Sequence, residues 1–173
     1  MNVNIKRALY KWICIIALML VSIILETTIF SSFRVFGASP VCLPFIAVTV
    51  ALLEGVEDGV VAGFVGGFLC DAIFSGYEGF YTVILPILIF AICLMNTIMY
   101  WKNYGMAVLD WGLLIALLHL IRYLLYMLAQ GKGSIVSLLY VIPGEFFATL
   151  ALTPFLYIIV YKIIKRFKNY EED

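Results

Sequence analysis

Six ionisable side chains fall within the apolar stretches of the chain, and these are the residues that could carry chemistry. In chain order they are Glu26, Asp71, Asp110, His119, Arg122 and Glu145. Carboxylates, an imidazole and a guanidinium could transfer protons, hold a carboxylated ligand or pair with one another. Because a charged group inside a membrane costs about 2.5–3.5 kcal/mol, each of them needs a partner if these stretches cross a bilayer. Their roles depend on which helices bring them together.

Known catalytic patterns are missing from the sequence. His119 is the single histidine, so any Ser-His pair or histidine metal site must use it. There is no Gly-x-Ser-x-Gly elbow, His-Glu-x-x-His pair or Gly-Lys-Ser/Thr phosphate loop. An aspartic pair would need Asp71 and Asp110 at equal depth on facing helices, whereas they fall near opposite ends of their predicted spans. The sequence therefore predicts a protein that is not an enzyme, with no catalytic, cofactor-binding or metal-binding residues.

The composition is typical of an integral membrane protein. Of the 173 residues, 65% are hydrophobic and 13% are charged, and the mean hydropathy is +1.10. Eleven basic and eleven acidic residues cancel, so no basic field for nucleic acid exists. The four cysteines lie in apolar runs without paired spacing, which indicates packing residues: Cys14, Cys42, Cys70 and Cys93.

The length and the hydropathy pattern predict one all-α transmembrane domain, residues 1–173, formed by a compact bundle of about six helices. The predicted spans are approximately 12–30, 41–53, 59–74, 80–100, 106–129 and 135–161, followed by a short charged cytoplasmic tail, 162–173. The first span is expected to stay uncleaved, because its core is longer than that of a signal peptide and Pro40 follows the small residues. Pro143 and Pro154 predict at least one kink in the sixth span.

Basic residues predict the orientation. With six spans, the basic N-terminal residues, Lys102 and the basic C-terminal cluster fall on one side, and only Arg34 and Lys132 fall in the opposite loops. By the positive-inside rule both termini are cytoplasmic. The acidic turn with Glu54, Glu57 and Asp58 also falls inside, which the rule does not explain.

A glycine stripe marks the third span. Gly59, Gly63, Gly67 and Asp71 recur at every fourth residue, and Gly79 follows in a turn. On a helix this spacing exposes backbone for close contact with a neighbour. The pattern leaves two interpretations open, packing inside the bundle and a docking face for another membrane protein.

Four of the ionisable groups are expected to form a polar cluster in the outer half of the bundle. They are Glu26, His119, Arg122 and Glu145, with Arg122 and Glu145 as the central ion pair. The alternative is that each group reaches the outer interface separately.

The glycine segment also resembles a known family. Residues Gly55 to Gly79, with the run Gly67-Phe68-Leu69-Cys70-Asp71, resemble the MreD family of bacterial rod-shape-determining membrane proteins. Phe68 and Cys70 depart from the usual Gly-Leu-Leu-x-Asp ending of that family but remain apolar. The overall layout is similar too, in the chain length, in Glu26 near the outer end of the first span, and in Pro40 and Pro44 at the entry to the second.

The resemblance implies a non-enzymatic scaffold of the cell-elongation (rod) complex in the bacterial cytoplasmic (inner) membrane. Such a scaffold contributes to cell shape and lateral peptidoglycan synthesis through helix-helix contacts. The implied partners are an MreC-like bitopic protein, an MreB-like actin and the peptidoglycan synthases, and a homodimer is left open. The implied fold resembles the substrate-binding subunit of energy-coupling-factor transporters.

The alternative function is that subunit itself, which binds a vitamin for an energy-coupling-factor transporter. Arg122 favours it, since a buried arginine could hold a carboxylated ligand. The first span argues against it, because Ala17 has no alanine four residues away to form the small-residue docking pattern of such subunits.

Overall fold

The computed structural model describes residues 3–30, 40–73, 79–96, 103–130, 143 and 146–168, and within them the regular structure is entirely helical. Helix α1 spans Val3–Leu25 and continues as a π-helical turn, Glu26–Phe30; the helices that follow are α2 (Leu43–Glu54), α3 (Val56–Ile73), α4 (Phe80–Asn96), α5 (Tyr104–Gln130) and α6 (Thr153–Lys168). Residues 146–150 form a further helical segment before α6. The predicted all-α class is confirmed for the described residues.

Helix α2 is the centre of the bundle. It has 12 residues, of which 11 are buried, and it packs against each of the other five helices. A helix that is apolar on all sides is typical of a buried position. At 1.5 Å per residue α2 is about 18 Å long. The short second span is therefore a core helix, enclosed by the others.

A single residue joins α2 to α3. Gly55 has a φ of 121°, a left-handed value that favours glycine, and its N–H donates to the Ala51 carbonyl at 3.1 Å. Helix α3 therefore begins at Val56, three residues earlier than the predicted span. Glu57 and Asp58, expected in a turn, occupy the first turn of α3, where negative charge complements the helix dipole.

The last predicted span is interrupted. Its helical segment 146–150 is followed by a turn at residues 151–152, and α6 begins at Thr153. The Thr153 hydroxyl donates to the Leu150 carbonyl at 2.8 Å, and Pro154, which has no N–H to offer, fits the first turn of a new helix. The interruption lies directly before Pro154, one of the two prolines at which a kink was expected, and it divides the helix completely. The helix then continues to Lys168, through most of the segment predicted as a tail.

The exterior of the bundle is apolar. Within the described parts of the chain, two helical stretches are long and apolar enough to span a membrane, Ala8–Thr28 and Tyr104–Leu125. Large apolar side chains are exposed on every helix except α2; the most exposed on each are Ile24, Phe68, Met95, Leu109 and Phe155. Exposed apolar side chains on this scale are typical of a surface that meets lipid or another protein.

Candidate functional site

The glycine stripe brings α3 into close contact with α4. A Cβ atom on Gly67 would lie 2.4 Å from the Tyr81 carbonyl oxygen, and one on Gly63 would lie 3.2 Å from the Pro86 Cα. Both glycines are buried. The absence of a side chain at these positions is therefore what allows the two backbones to approach.

The stripe does not face one neighbour along its whole length. A Cβ atom on Gly59 would lie 2.3 Å from the Ala51 Cβ, which belongs to α2. Residues four apart on a helix drift by about 40° per step, so the stripe turns from α2 at Gly59 to α4 at Gly67. Gly59, Gly63 and Gly67 therefore all contact the chain's own helices, which is the packing interpretation of the pattern.

Asp71 ends the stripe and caps α4. Its carboxylate accepts hydrogen bonds from the Tyr81 N–H at 3.0 Å and the Thr82 N–H at 2.7 Å, and from the Thr82 hydroxyl at 2.5 Å. The first N–H groups of a helix lack partners within the helix, and inside a membrane no water replaces them. Gly79, with a φ of 81°, turns the chain into α4 just before these groups. Asp71 thus has an internal, structural role.

Glu26 and Thr149 serve the start of α2 in the same way. The Cys42 N–H donates to Glu26 Oε1, and the Val41 N–H donates to Thr149 Oγ1 at 3.0 Å. Glu26 is 7% exposed and lies at the π-helical turn that ends α1. Two side chains distant in sequence therefore supply acceptors to the beginning of the buried helix.

The expected polar cluster is not formed by Glu26 and Arg122. Glu26 meets the start of α2, whereas Arg122 Nη1 lies 3.4 Å from the Tyr81 hydroxyl at the start of α4 and is exposed. His119 is half-buried on α5, and Glu145 lies outside the described residues. Glu26 is held by a backbone N–H at the start of α2, which is why it lies apart from Arg122, and the expected pair of Arg122 with Glu145 stays a prediction.

Asp110, a residue of α5, contacts the C-terminal end of α4. Its Oδ2 accepts a hydrogen bond from Asn96 Nδ2 at 2.6 Å, beside a cavity of about 10 Å³ between α2, α4 and α5. That volume holds about one water molecule. Thr82, which contacts Asp71, and Asn96, which contacts Asp110, are separated by about 21 Å along α4. Asp71 and Asp110 therefore do not share a site.

One ion cluster was missed by the sequence analysis. Lys11 Nζ lies 2.6 Å from Glu54 Oε2 and 2.9 Å from Asp58 Oδ2, and the side chains of Lys11 and Glu54 are only 15% and 16% exposed. The predicted orientation already placed Lys11 and the acidic turn at the same end of the bundle. The pairing supplies a partner for the acidic turn that the positive-inside rule did not explain.

Among the described residues, no group of three or more histidine, cysteine or acidic side chains could hold a metal ion. The carboxylates instead accept hydrogen bonds from helix starts, an amide and a lysine. Their common chemical action is to satisfy polar groups inside an apolar bundle. Comparisons with protein-family models, with curated proteins and with solved structures find no match to this chain, so this arrangement of its own side chains is the basis for any functional proposal.

Proposed function

We propose that this chain is a multi-pass scaffold of the bacterial cytoplasmic membrane, of the MreD type, with both termini in the cytoplasm. The observation that carries the proposal is the division of the molecule into an apolar exterior and an interior whose acids are used to join helices. Asp71, Glu26 and Glu54 each bind a neighbouring helix of the same chain. A protein built in this way offers surfaces to partners within the membrane and requires no chemistry of its own.

The resemblance at Gly55 to Gly79 supports the same proposal. The described part of this segment contains α3 and Gly79, with glycines against two neighbouring helices and Asp71 on the start of α4. A family pattern with such a role determines the fold rather than a ligand site. We therefore propose the six-helix bundle of that family, with MreC-like, MreB-like and peptidoglycan-synthesis proteins as partners.

The outer face of α3 is the surface that a partner would meet. Phe64 and Phe68 are 55% and 61% exposed and lie away from the glycines, which are buried against α2 and α4. Aromatic side chains supply large contact areas and are enriched at protein interfaces. If α3 takes part in assembly, these phenylalanines make the contact.

The test is affinity purification of the tagged chain from native membranes in mild detergent, with identification of the proteins that accompany it. The wild type is expected to bring an MreC-like protein and cell-wall synthases. A Phe64→Ala/Phe68→Ala variant should lose them, while Leu109→Ala/Leu113→Ala, which shortens exposed side chains on α5, should retain them. Depletion of the chain should also turn rod-shaped cells round.

Other outcomes decide against the scaffold. Recovery of ATPase-bearing transport subunits, or of a bound vitamin, would instead support the transporter subunit. The guanidinium of Arg122 could attract a carboxylated ligand, but it is exposed and not in the buried position that this second function requires, so it is a weaker basis for it.

A further inference from the structure

Helix α6 changes in character along its exposed side. Its exposed apolar residues come first, then an aromatic residue, then basic residues: Phe155, Ile158, Tyr161, Lys162, Lys165 and Arg166. From Ile158 to Arg166 the helix rises about 12 Å. This order, apolar then aromatic then cationic, follows the layers of one membrane leaflet from acyl tails to phosphates.

The basic residues form a single face. Lys162, Lys165 and Arg166 are related by steps of three and four residues, so they lie within an arc of about 100° on the helix. All three are exposed, and the described sequence of α6 contains no acidic residue to neutralise them. Within the described residues of α6 the face therefore carries positive charge only, and the acidic residues Glu171, Glu172 and Asp173 follow beyond the end of the helix in the sequence.

The opposite side of α6 holds this face in place. Leu156, Val160 and Ile164 are 7%, 0% and 5% exposed, and α6 packs against α1 and α2. Lys165 Nζ also lies 5.7 Å from the centre of the Tyr161 ring, a cation–π contact that favours one position of the ammonium group. The cations are thus presented on a fixed helix.

We propose that this basic face binds the headgroup phosphates of anionic phospholipids in the leaflet at the end of α6. The proposal rests on the membrane embedding proposed above. Charge complementarity selects the occupant, and the adjoining exposed residues Phe155 and Ile158 would contact the acyl chains of the same lipids. An acidic protein surface would complement the charges but not this apolar continuation.

The experiment measures which lipid stays with the purified protein. The full chain is reconstituted into vesicles of equal parts phosphatidylcholine and phosphatidylglycerol, extracted in mild detergent, and its retained lipids are quantified. The wild type should be enriched in phosphatidylglycerol, and the enrichment should fall as salt is raised. Each charge removed should lower retention about fivefold at low salt, so Lys162→Gln/Lys165→Gln/Arg166→Gln should show no enrichment.

A charge-preserving variant provides the matched control. Lys162→Arg/Lys165→Arg/Arg166→Lys should keep the enrichment, and thermal unfolding of each variant reports whether it is folded. Equal retention of both lipids by the wild type, at all salt concentrations, would overturn the proposal even if the glutamine variant fails to fold. Enrichment that survives in a folded glutamine variant would overturn it too. Release of the wild type from vesicles by an alkaline wash would instead overturn the membrane embedding itself.

Discussion

Helices α1 and α2 are both apolar, yet they differ in how much of each is buried and in the contacts that fix its position. Helix α2 is buried over 11 of its 12 residues, whereas only 17% of the most apolar stretch of α1 is buried. The described α1 side chains that are buried form one narrow line: Ile15, Met19 and Ser22, continued by Glu26. Polar contacts lie near both ends of that line, from Lys11 to Glu54 and from Glu26 to Cys42.

The difference shows what fixes a helix when lipid surrounds the bundle. Lipid tails are as apolar as leucine, so burial of apolar surface between helices gains little over contact with lipid. The position of α2 must then depend on close side-chain packing, and the position of α1 on the polar contacts near its two ends. Four substitutions test this contrast, beginning with the largest expected effect.

The first substitution removes volume beside α2. Phe45 is fully buried and its ring packs edge-on against Trp111 at 5.9 Å, so Phe45→Ala leaves a cavity. We expect a loss of about 3 kcal/mol in the free energy of unfolding. Leu20→Ala on α1, where the side chain is 45% exposed, should cost far less because the surrounding detergent can fill the space. Thermal unfolding in detergent measures both, with a shift of about 10 °C expected for Phe45→Ala. Equal losses would remove the contrast.

The second substitution adds volume between α3 and α4. Gly67→Ala would place a Cβ atom 2.4 Å from the Tyr81 carbonyl oxygen and should destabilise the protein by about 2 kcal/mol. Gly66→Ala is the control, because the nearest atoms to its Cβ lie at 3.9 Å. Since alanine is the better helix former, Gly66→Ala should be neutral or stabilising. The unfolding temperatures of the two variants should therefore move in opposite directions, and a tolerated Gly67→Ala would contradict close packing here.

The third substitution weakens a helix cap. Asp71→Asn keeps the shape of the side chain but removes the charge that binds the Tyr81 and Thr82 N–H groups. We expect a loss of about 1.5 kcal/mol, measured by the unfolding midpoint. Glu57→Gln, which neutralises an exposed acid in the first turn of the same helix, should cost less, about 0.5 kcal/mol, because only a solvent-screened interaction with the helix dipole is lost. A midpoint equally insensitive to both would show that α4 does not depend on its cap.

The fourth substitution removes the polar contact near the N-terminal end of α1. Lys11→Met removes the partner of Glu54 and Asp58, and because all three groups keep some exposure we expect about 1 kcal/mol. A double-mutant cycle with Glu54→Gln should give a coupling energy of at least about 0.5 kcal/mol that decreases in high salt. Simple additivity would show that the contact does not hold α1.

Several features were determined by the sequence alone. The apolar runs predict helices, and the recurrence of Gly59, Gly63 and Gly67 at every fourth residue predicts a helix that packs closely. Both features depend only on residue type and on the period of the pattern. The short apolar run that became α2 was predicted as a membrane span, and its enclosed position among the other helices came only from the structure. The position of Asp71 at the end of the stripe was likewise visible before the structure.

Partner choice was decided by the tertiary structure. Asp71 and Glu26 could each have paired with a cation. In the folded bundle, with its one-residue connection at Gly55, Asp71 instead lies beside the start of α4 and Glu26 beside the start of α2. The same arrangement brings Lys11 to Glu54 across 43 residues. Hydropathy reports how much a segment avoids water, whereas the choice of partner depends on distances between helices, which arise only when the volumes of all the helices are fitted together.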